Sequence, residues 1–428
     1  MGVGDFDVWG EEEDDHPRSL NVHMDAWATL ADGVMSQLRG EMVDEVLCQV
    51  GSPNRRPRID LLRNVEAMVS SIVANLVLLH RLRPSEARLA VPLANTKKTK
   101  YDRKGFQKLS PTIDALASAG LIEKFAPKFK QTRTTIRAVD RLHDAVMAAD
   151  VKLSDVVRAG GQQNLVLTAR PPRRYSYGIR VANSRVDYLE TAETRLLRAE
   201  IDELNAFLSS QAITLKGEPS SAFNLWRNFT IRSTADPEAF RLHGRLYGGF
   251  WMILPEAERQ HLKINGEPVA DLDFSAMFPS LAYIRAGHPP PDGDPYAIRG
   301  LETHRAAAKA AMSALLSSGP LRSLPPRVRD ELPAGWTLAK LRKAVIELHP
   351  VLASSLEQDL SLEFMFTESC ILMTALLDLM RRGVPALPMH DGMMVPAANV
   401  EIASVVMRRA SLEVCGQTLG VTQKTLLP

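Results

Sequence analysis

Two carboxylates in this 428-residue chain sit in surroundings that could support chemistry. One is Asp273, in Val269-Ala-Asp-Leu-Asp-Phe-Ser-Ala-Met-Phe-Pro-Ser-Leu-Ala-Tyr283; the other is Asp391, in Met389-His-Asp-Gly-Met-Met-Val-Pro396. Val269, Leu272 and Phe274 run into a Ser/Pro turn, which predicts a half-buried strand delivering Asp273 to its end. Asp271 would share its face, because strand side chains alternate. Apolar runs on both sides of His390-Asp391-Gly392 predict a tight β-hairpin with Asp391 at its tip, since Asp-Gly between such runs is a strong hairpin signal. Aspartates on neighbouring strand ends could hold two Mg²⁺ ions and clamp the attacking and leaving oxygens of an in-line phosphoryl displacement. Magnesium suits such a place because it takes few protein carboxylates and completes its shell with phosphate and water.

At these residues the chain resembles a known family. Asp273-Phe-Ser-Ala-Met-Phe278 resembles motif A of template-directed polymerases. His390-Asp391-Gly392 is similar to motif C of superfamily A, which includes the repair-type DNA polymerases and the phage single-subunit RNA polymerases. The resemblance covers roughly the C-terminal half and is to compact relatives associated with transposons and viruses. It implies an α+β fold with a C-terminal polymerase palm, an antiparallel sheet with helices, and reduced fingers. It also implies two Mg²⁺ ions, or Mn²⁺, on Asp273 and Asp391 with the Phe274 carbonyl, leaving Asp271 as a supporting or surface residue. Phe278 falls at the sugar-gate position, where a bulky side chain excludes a 2′-hydroxyl; an apolar residue before Pro279 fits an ordinary core position equally well.

Other elements follow in the family's order. Gly244-Arg245 resembles the Gly-Arg element before the palm, whose arginine contacts the primer-template duplex; glycine permits close backbone approach and arginine offers a planar fork of donors. A helix over 303–316 places Arg305 and Lys309 on one face and resembles motif B, whose basic residues grip the triphosphate. The aromatic residue expected after that lysine is replaced by Ser317 and Ser318. A helix over 363–382 carries Glu368, which would orient a metal-site or primer-end group or else pair on the surface. Gly392 replaces the second acid of the DNA polymerase form of motif C, an acid that the RNA polymerase branch also lacks. His390 would support the hairpin or approach the primer end.

The elements that position these residues divide the chain. Residues 1–22 read as an acidic disordered tail, with Asp5, Asp7, Glu11, Glu12, Glu13, Asp14 and Asp15 uncompensated by Lys or Arg. Residues 23–84 read as helical, with Val65, Met68, Val69, Ile72, Val73, Leu76 and Leu79 at helical steps. Over 85–150 the order helix, Gly120, strand, basic loop, strand resembles a winged-helix DNA-binding module. Residues 95–142 hold twelve Lys or Arg against four Asp or Glu, the local excess that phosphate-backbone binding requires. Lys97, Lys98 and Lys104 would flank the recognition helix, and Lys128 and Arg133 the wing. Residues 151–189 read as a linker, 190–250 as a helical thumb-like region ending in the Gly-Arg element, and 251–428 as palm and fingers. The Pro- and Arg-rich stretch 320–350 reads as a mobile surface segment.

With 45% hydrophobic and 24% charged residues the composition is that of a globular protein, and the net charge of +2 hides an uneven distribution. No run of about 18 apolar residues and no basic-then-apolar leader occurs, so a cytoplasmic protein without a membrane partner is expected. Three dispersed cysteines fit small core residues rather than disulfides or zinc. The expectation is a nucleotidyltransferase acting on a DNA primer-template and nucleoside triphosphates, with a monomer favoured. A DNA polymerase comes first, an RNA polymerase or primase second, and a catalytically inactive replication-initiation DNA-binding protein third.

Overall fold

The computed structural model describes residues 21–50, 58–83, 85–93, 99–106, 109–126, 133–171, 175–176, 179–180, 183–220 and 222–424. The acidic block at 5–15 and Lys97, Lys98 and Lys128 lie outside them. The described chain is mixed α+β, with a curled antiparallel sheet in its C-terminal half.

That sheet is organised by the strand Glu267–Phe274. Residues 269–273 pair antiparallel with the strand Gly392–Pro396 along one edge. Along the other edge the strand Leu262–Ile264 pairs first, and Val421–Lys424 then pairs with residues 271–274. The helix Val400–Cys415 packs against both the central strand and the hairpin strand. With neighbours on both edges, the strand is buried on both faces and not half-buried as its sequence pattern predicts: Asp271 and Asp273 are only 1% and 5% exposed.

After Phe274 the chain turns sharply. The Ser275 amide donates to the Gly420 carbonyl at 2.8 Å, and Ala276 adopts left-handed backbone geometry (φ +47°) before the helix Met277–Arg285 begins. The helix Arg305–Ser317 packs on that helix. The stretch 320–350 is not a loose segment. It contains the helices Pro326–Glu331 and Leu338–Leu348, the second burying Leu338, Leu341, Ala344 and Val345 at helical spacing. The prolines that suggested mobility instead start a helix, where the missing N–H costs nothing.

A second sheet runs in the order Ser184–Arg185, Leu165–Ala169, Trp226–Ile231, His243–Tyr247. Its strand Leu165–Ala169 is wholly buried, so 151–189 is more than a linker. The Gly160-Gly161 and Arg-Pro-Pro flanks masked a five-residue strand with four apolar residues and Thr168. The helix Ser361–Arg381 lies across His243–Tyr247, and the helix Ala192–Ser209 begins with Thr191 accepting from the Thr194 amide at 3.2 Å.

In the N-terminal part, Ile59–Leu82 buries all seven residues that its spacing singled out. It is the one described helix long and apolar enough to cross a membrane, yet 72% of its most apolar window is packed inside the protein. The helix Leu109–Ser118, Gly120 at φ +68° and the paired strands Ile122–Phe125 and Thr135–Ala138 follow in the anticipated order. A further strand, Arg88–Ala90, joins Thr135–Ala138 to Asn21–His23. Cys48 is exposed and not a core residue; Cys370 and Cys415 are half-buried and free.

Gly392 is the tightest point of the C-terminal sheet. A Cβ there would lie 2.1 Å from the Leu272 carbonyl oxygen and 2.3 Å from Asp273 Oδ1. Gly392→Ala must therefore push the hairpin strand off the central strand, and we expect a loss of about 1–3 kcal/mol in chemical denaturation. An unchanged denaturation midpoint would contradict this strand spacing.

Candidate active site

The register brings the two aspartates together. Asp273 is the Cα partner of Gly392, and the Phe274 amide donates to the Asp391 carbonyl at 3.2 Å. The hairpin closes through the Met389 amide and the Gly392 carbonyl at 2.8 Å, and the Trp251 indole N–H holds the Pro388 carbonyl at 2.9 Å. Burial and the Asp391 carboxylate beside it push the Asp273 carboxyl up to about 7, against the pull of Lys424, whose ammonium pairs with Asp273 Oδ2. Burial also raises Asp271, against Lys424 and against Arg259, whose Nη1 lies 3.5 Å from Asp271 Oδ2. Asp271 is thus neither a surface residue nor a bystander. Its Oδ1 is buried with no hydrogen-bond partner among the described residues.

Two carboxylates at adjoining strand ends, that of Asp273 buried, repel one another in a way that a divalent cation relieves. Among the described residues, no group of three or more His, Cys, Asp or Glu is placed to hold a metal. A two-carboxylate set fits Mg²⁺, which keeps several waters and substrate oxygens, better than an all-protein cage would. Phe274 ends the strand with its side chain in the core.

The Gly-Arg element reaches this place in an unanticipated way. Gly244, at φ +78°, abuts the helix Ser361–Arg381: an added Cβ would meet Ser369 Oγ at 2.5 Å. Its close approach is therefore to that helix. Arg245 is 2% exposed and grips Glu368 through Nε–Oε1 at 2.8 Å and a second N–H to Oε2 at 2.9 Å. In this state the fork faces Glu368 and not an open groove, and Glu368 pairs in the interior, not on the surface.

His390 lies against the Tyr247 ring, with centroids 5.7 Å apart, and the Tyr247 hydroxyl meets His243 Nε2 at 3.2 Å. Burial and the nearby Arg245 lower His390 to about 3, so it stays neutral. Its Nδ1 is buried without a hydrogen-bond partner among the described residues. Tyr247 thus joins the Gly-Arg strand to the hairpin tip, and Arg245 joins the same strand to the helix of Glu368.

Other anticipated residues lie apart. Arg305 is exposed and held bidentately by Asp294 at 2.7 and 3.0 Å, and Lys309 is exposed on the same helix. Neither forms a hydrogen bond or ion pair with the aspartates among the described residues. Phe278 is half-buried against Phe364, with centroids 5.5 Å apart. In the N-terminal module Lys104 is exposed, whereas Arg133 reaches His23 Nδ1 at 3.1 Å and Arg103 the Ala26 carbonyl at 2.7 Å. Part of the basic excess thus serves internal contacts.

Lys424 and Arg259 escaped the sequence reading. For Lys424 the available signal was the β-prone Val421-Thr-Gln-Lys424 after Gly420, which marks a strand but not its partner. Arg259 offered none, because only folding sets it beside Asp271. No protein-family model matches the chain, and no curated protein matches it.

Two outcomes follow from this geometry. Removing one partner of a buried ion pair strands the other charge, so Glu368→Ala is expected to cost about 3–5 kcal/mol in denaturation. Arg245→Met with Glu368→Leu should recover most of it, a double-mutant cycle that an exposed pair would not produce. Because the folded Asp273 carboxyl titrates above its ordinary 3.8, the folded state holds a proton that the unfolded chain has lost. Its contribution to stability is greatest at low pH and falls as pH rises from about 4 to about 7. Metal-free Asp273→Asn should therefore melt above the parent near about pH 8, with the gap closing toward about pH 4. Melting curves across that range check it; a lower melting temperature for the variant throughout would count against the raised carboxyl.

Proposed function

We propose that this chain is a template-directed nucleotidyltransferase, and first a DNA polymerase that extends a primer 3′ end. The observation that carries the reading is the pairing of Asp273 with Gly392, which sets Asp273 and Asp391 side by side at adjoining strand ends. This is the arrangement expected if Asp273-Phe-Ser-Ala-Met-Phe278 and His390-Asp391-Gly392 work as motifs A and C of superfamily A. The crowding of Leu272 and Asp273 on Gly392 supplies a reason for the missing second acid, because no side chain fits there.

In this reading Asp273 and Asp391 hold Mg²⁺, or Mn²⁺, with Asp271 and Arg259 bracing the strand behind them. Bound divalent ions would lower the pKa of the 3′-hydroxyl and stabilise the pyrophosphate leaving group. The protein's own part is to orient and to neutralise. Lys309, and Arg305 once it exchanges Asp294 for a ligand, would offer cationic groups to a triphosphate from the helix Arg305–Ser317. His390 and Tyr247 form an aromatic, uncharged wall beside Asp391, and Phe278 stands at the start of the helix that follows Asp273. The helix and two-stranded element at 109–138, with Lys104 and the neighbouring lysines, would hold DNA as a winged-helix-like module, through backbone contacts that carry no sequence information.

Primer extension on a DNA template with Mg²⁺, in parallel with dNTPs, with NTPs and without primer, tests the reading. Extension with dNTPs is expected. Asp273→Ala and Asp391→Ala should each abolish incorporation, by on the order of 10³-fold or more, with duplex affinity within about threefold of the parent. Incorporation retained by either variant contradicts the assignment. Ribonucleotide or unprimed synthesis moves it to an RNA polymerase or primase, and DNA binding without product in any lane to a binding protein.

A further inference from the structure

Lys424 stands opposite Asp271 where Val421–Lys424 pairs with the central strand, and its ammonium forms an ion pair with Asp273 Oδ2. Asp273, Asp391 and Asp271 all act on it electrostatically. Its side chain is 44% exposed while that of Asp273 is 8% exposed, so a cation on a flexible stem reaches a buried carboxylate from the solvent side. The Thr422 hydroxyl, on the same strand, lies 3.5 Å from the Asp273 carbonyl oxygen. These contacts make the C-terminal strand part of the site and not an ornament on its edge.

An ammonium brings one positive charge and three N–H donors to a point where carboxylate oxygens converge. It cannot bind two carboxylates with the strength of a dication, and a half-exposed lysine regains hydration when it leaves. Resting on the polymerase reading above, we infer that Lys424 is an internal counter-ion of the aspartate pair that a divalent cation displaces on binding. It holds the two strand ends together in the metal-free protein and sets the concentration at which metal takes over. Metal binding swings the side chain toward solvent and hands Asp273 and Asp391 to the ion. Lys424 is in this sense a positioning residue, and its effect is on metal affinity before any chemistry occurs.

The test uses the full chain and the metal alone. Mn²⁺ affinity is measured by isothermal titration calorimetry on the parent, Lys424→Gln, Lys424→Arg and Asp273→Asn, together with melting in EDTA. Removing the competing charge should tighten Mn²⁺ binding about tenfold or more and lower the melting temperature in EDTA, whereas Lys424→Arg keeps the parent's affinity. A Lys424→Gln protein that folds only when Mn²⁺ is added also supports the inference, since the dication then replaces the lost charge. Unchanged or weaker binding in Lys424→Gln, or failure to fold with and without Mn²⁺, overturns it. Loss of Mn²⁺ binding in Asp273→Asn keeps the metal reading standing whichever way Lys424 falls. Binding undiminished in Asp273→Asn removes the metal reading and the inference with it.

Discussion

The pairing of Glu267–Phe274 with Gly392–Pro396 is the contact on which the rest of the C-terminal half depends. It is an antiparallel ladder whose last rung places a glycine against a backbone carbonyl and an aspartate. At that rung no Cβ fits, so the strands approach closely enough for the Phe274 amide to reach the Asp391 carbonyl. Two acids that are 118 positions apart in the chain are thereby brought to adjoining strand ends, and burial, with the Asp391 carboxylate beside it, raises the Asp273 carboxyl.

A second constraint holds the surroundings in place. Arg245 and Glu368 join the strand His243–Tyr247 to the helix Ser361–Arg381 from within, where each charge is stranded without the other. Gly244 lets strand and helix close on one another, and Tyr247 carries the contact on to His390 at the hairpin tip. The hairpin is thus gripped from two sides, by the central strand along its ladder and by the aromatic wall at its tip. The carboxylate of Asp273 is enclosed by this frame, and the side that reaches solvent is the one from which Lys424 approaches.

Charge is distributed to the same end. Two buried cations are matched by acids, Arg245 by Glu368 and Arg259 by Asp271, whereas buried Arg227 donates to the Gly244 carbonyl and the Ser369 hydroxyl. In the N-terminal module Arg103 and Arg133 are spent on internal partners, and Lys104 remains exposed. The donors of those two guanidiniums are thus directed at a backbone carbonyl and an imidazole, while their charge remains.

Local chemistry alone determined much of this protein. Local pattern located the helices Arg305–Ser317 and Ser361–Arg381 to within a few residues and the buried face of Ile59–Leu82, and Asp-Gly between apolar runs located the hairpin. These features are legible because helix periodicity and turn preference are properties of neighbouring residues. What only the tertiary structure decided is everything that depends on who faces whom. It decided that the Leu165–Ala169 run is a sheet interior and not a connector, and that Gly244 serves a helix contact. It turned the Arg245 fork inward to Glu368 and brought Lys424, from the last described strand, onto Asp273. Such contacts join residues that are from 12 to 189 positions apart, and no local pattern encodes a partner at that distance, because the partner is chosen by packing and by the pairing of whole strands.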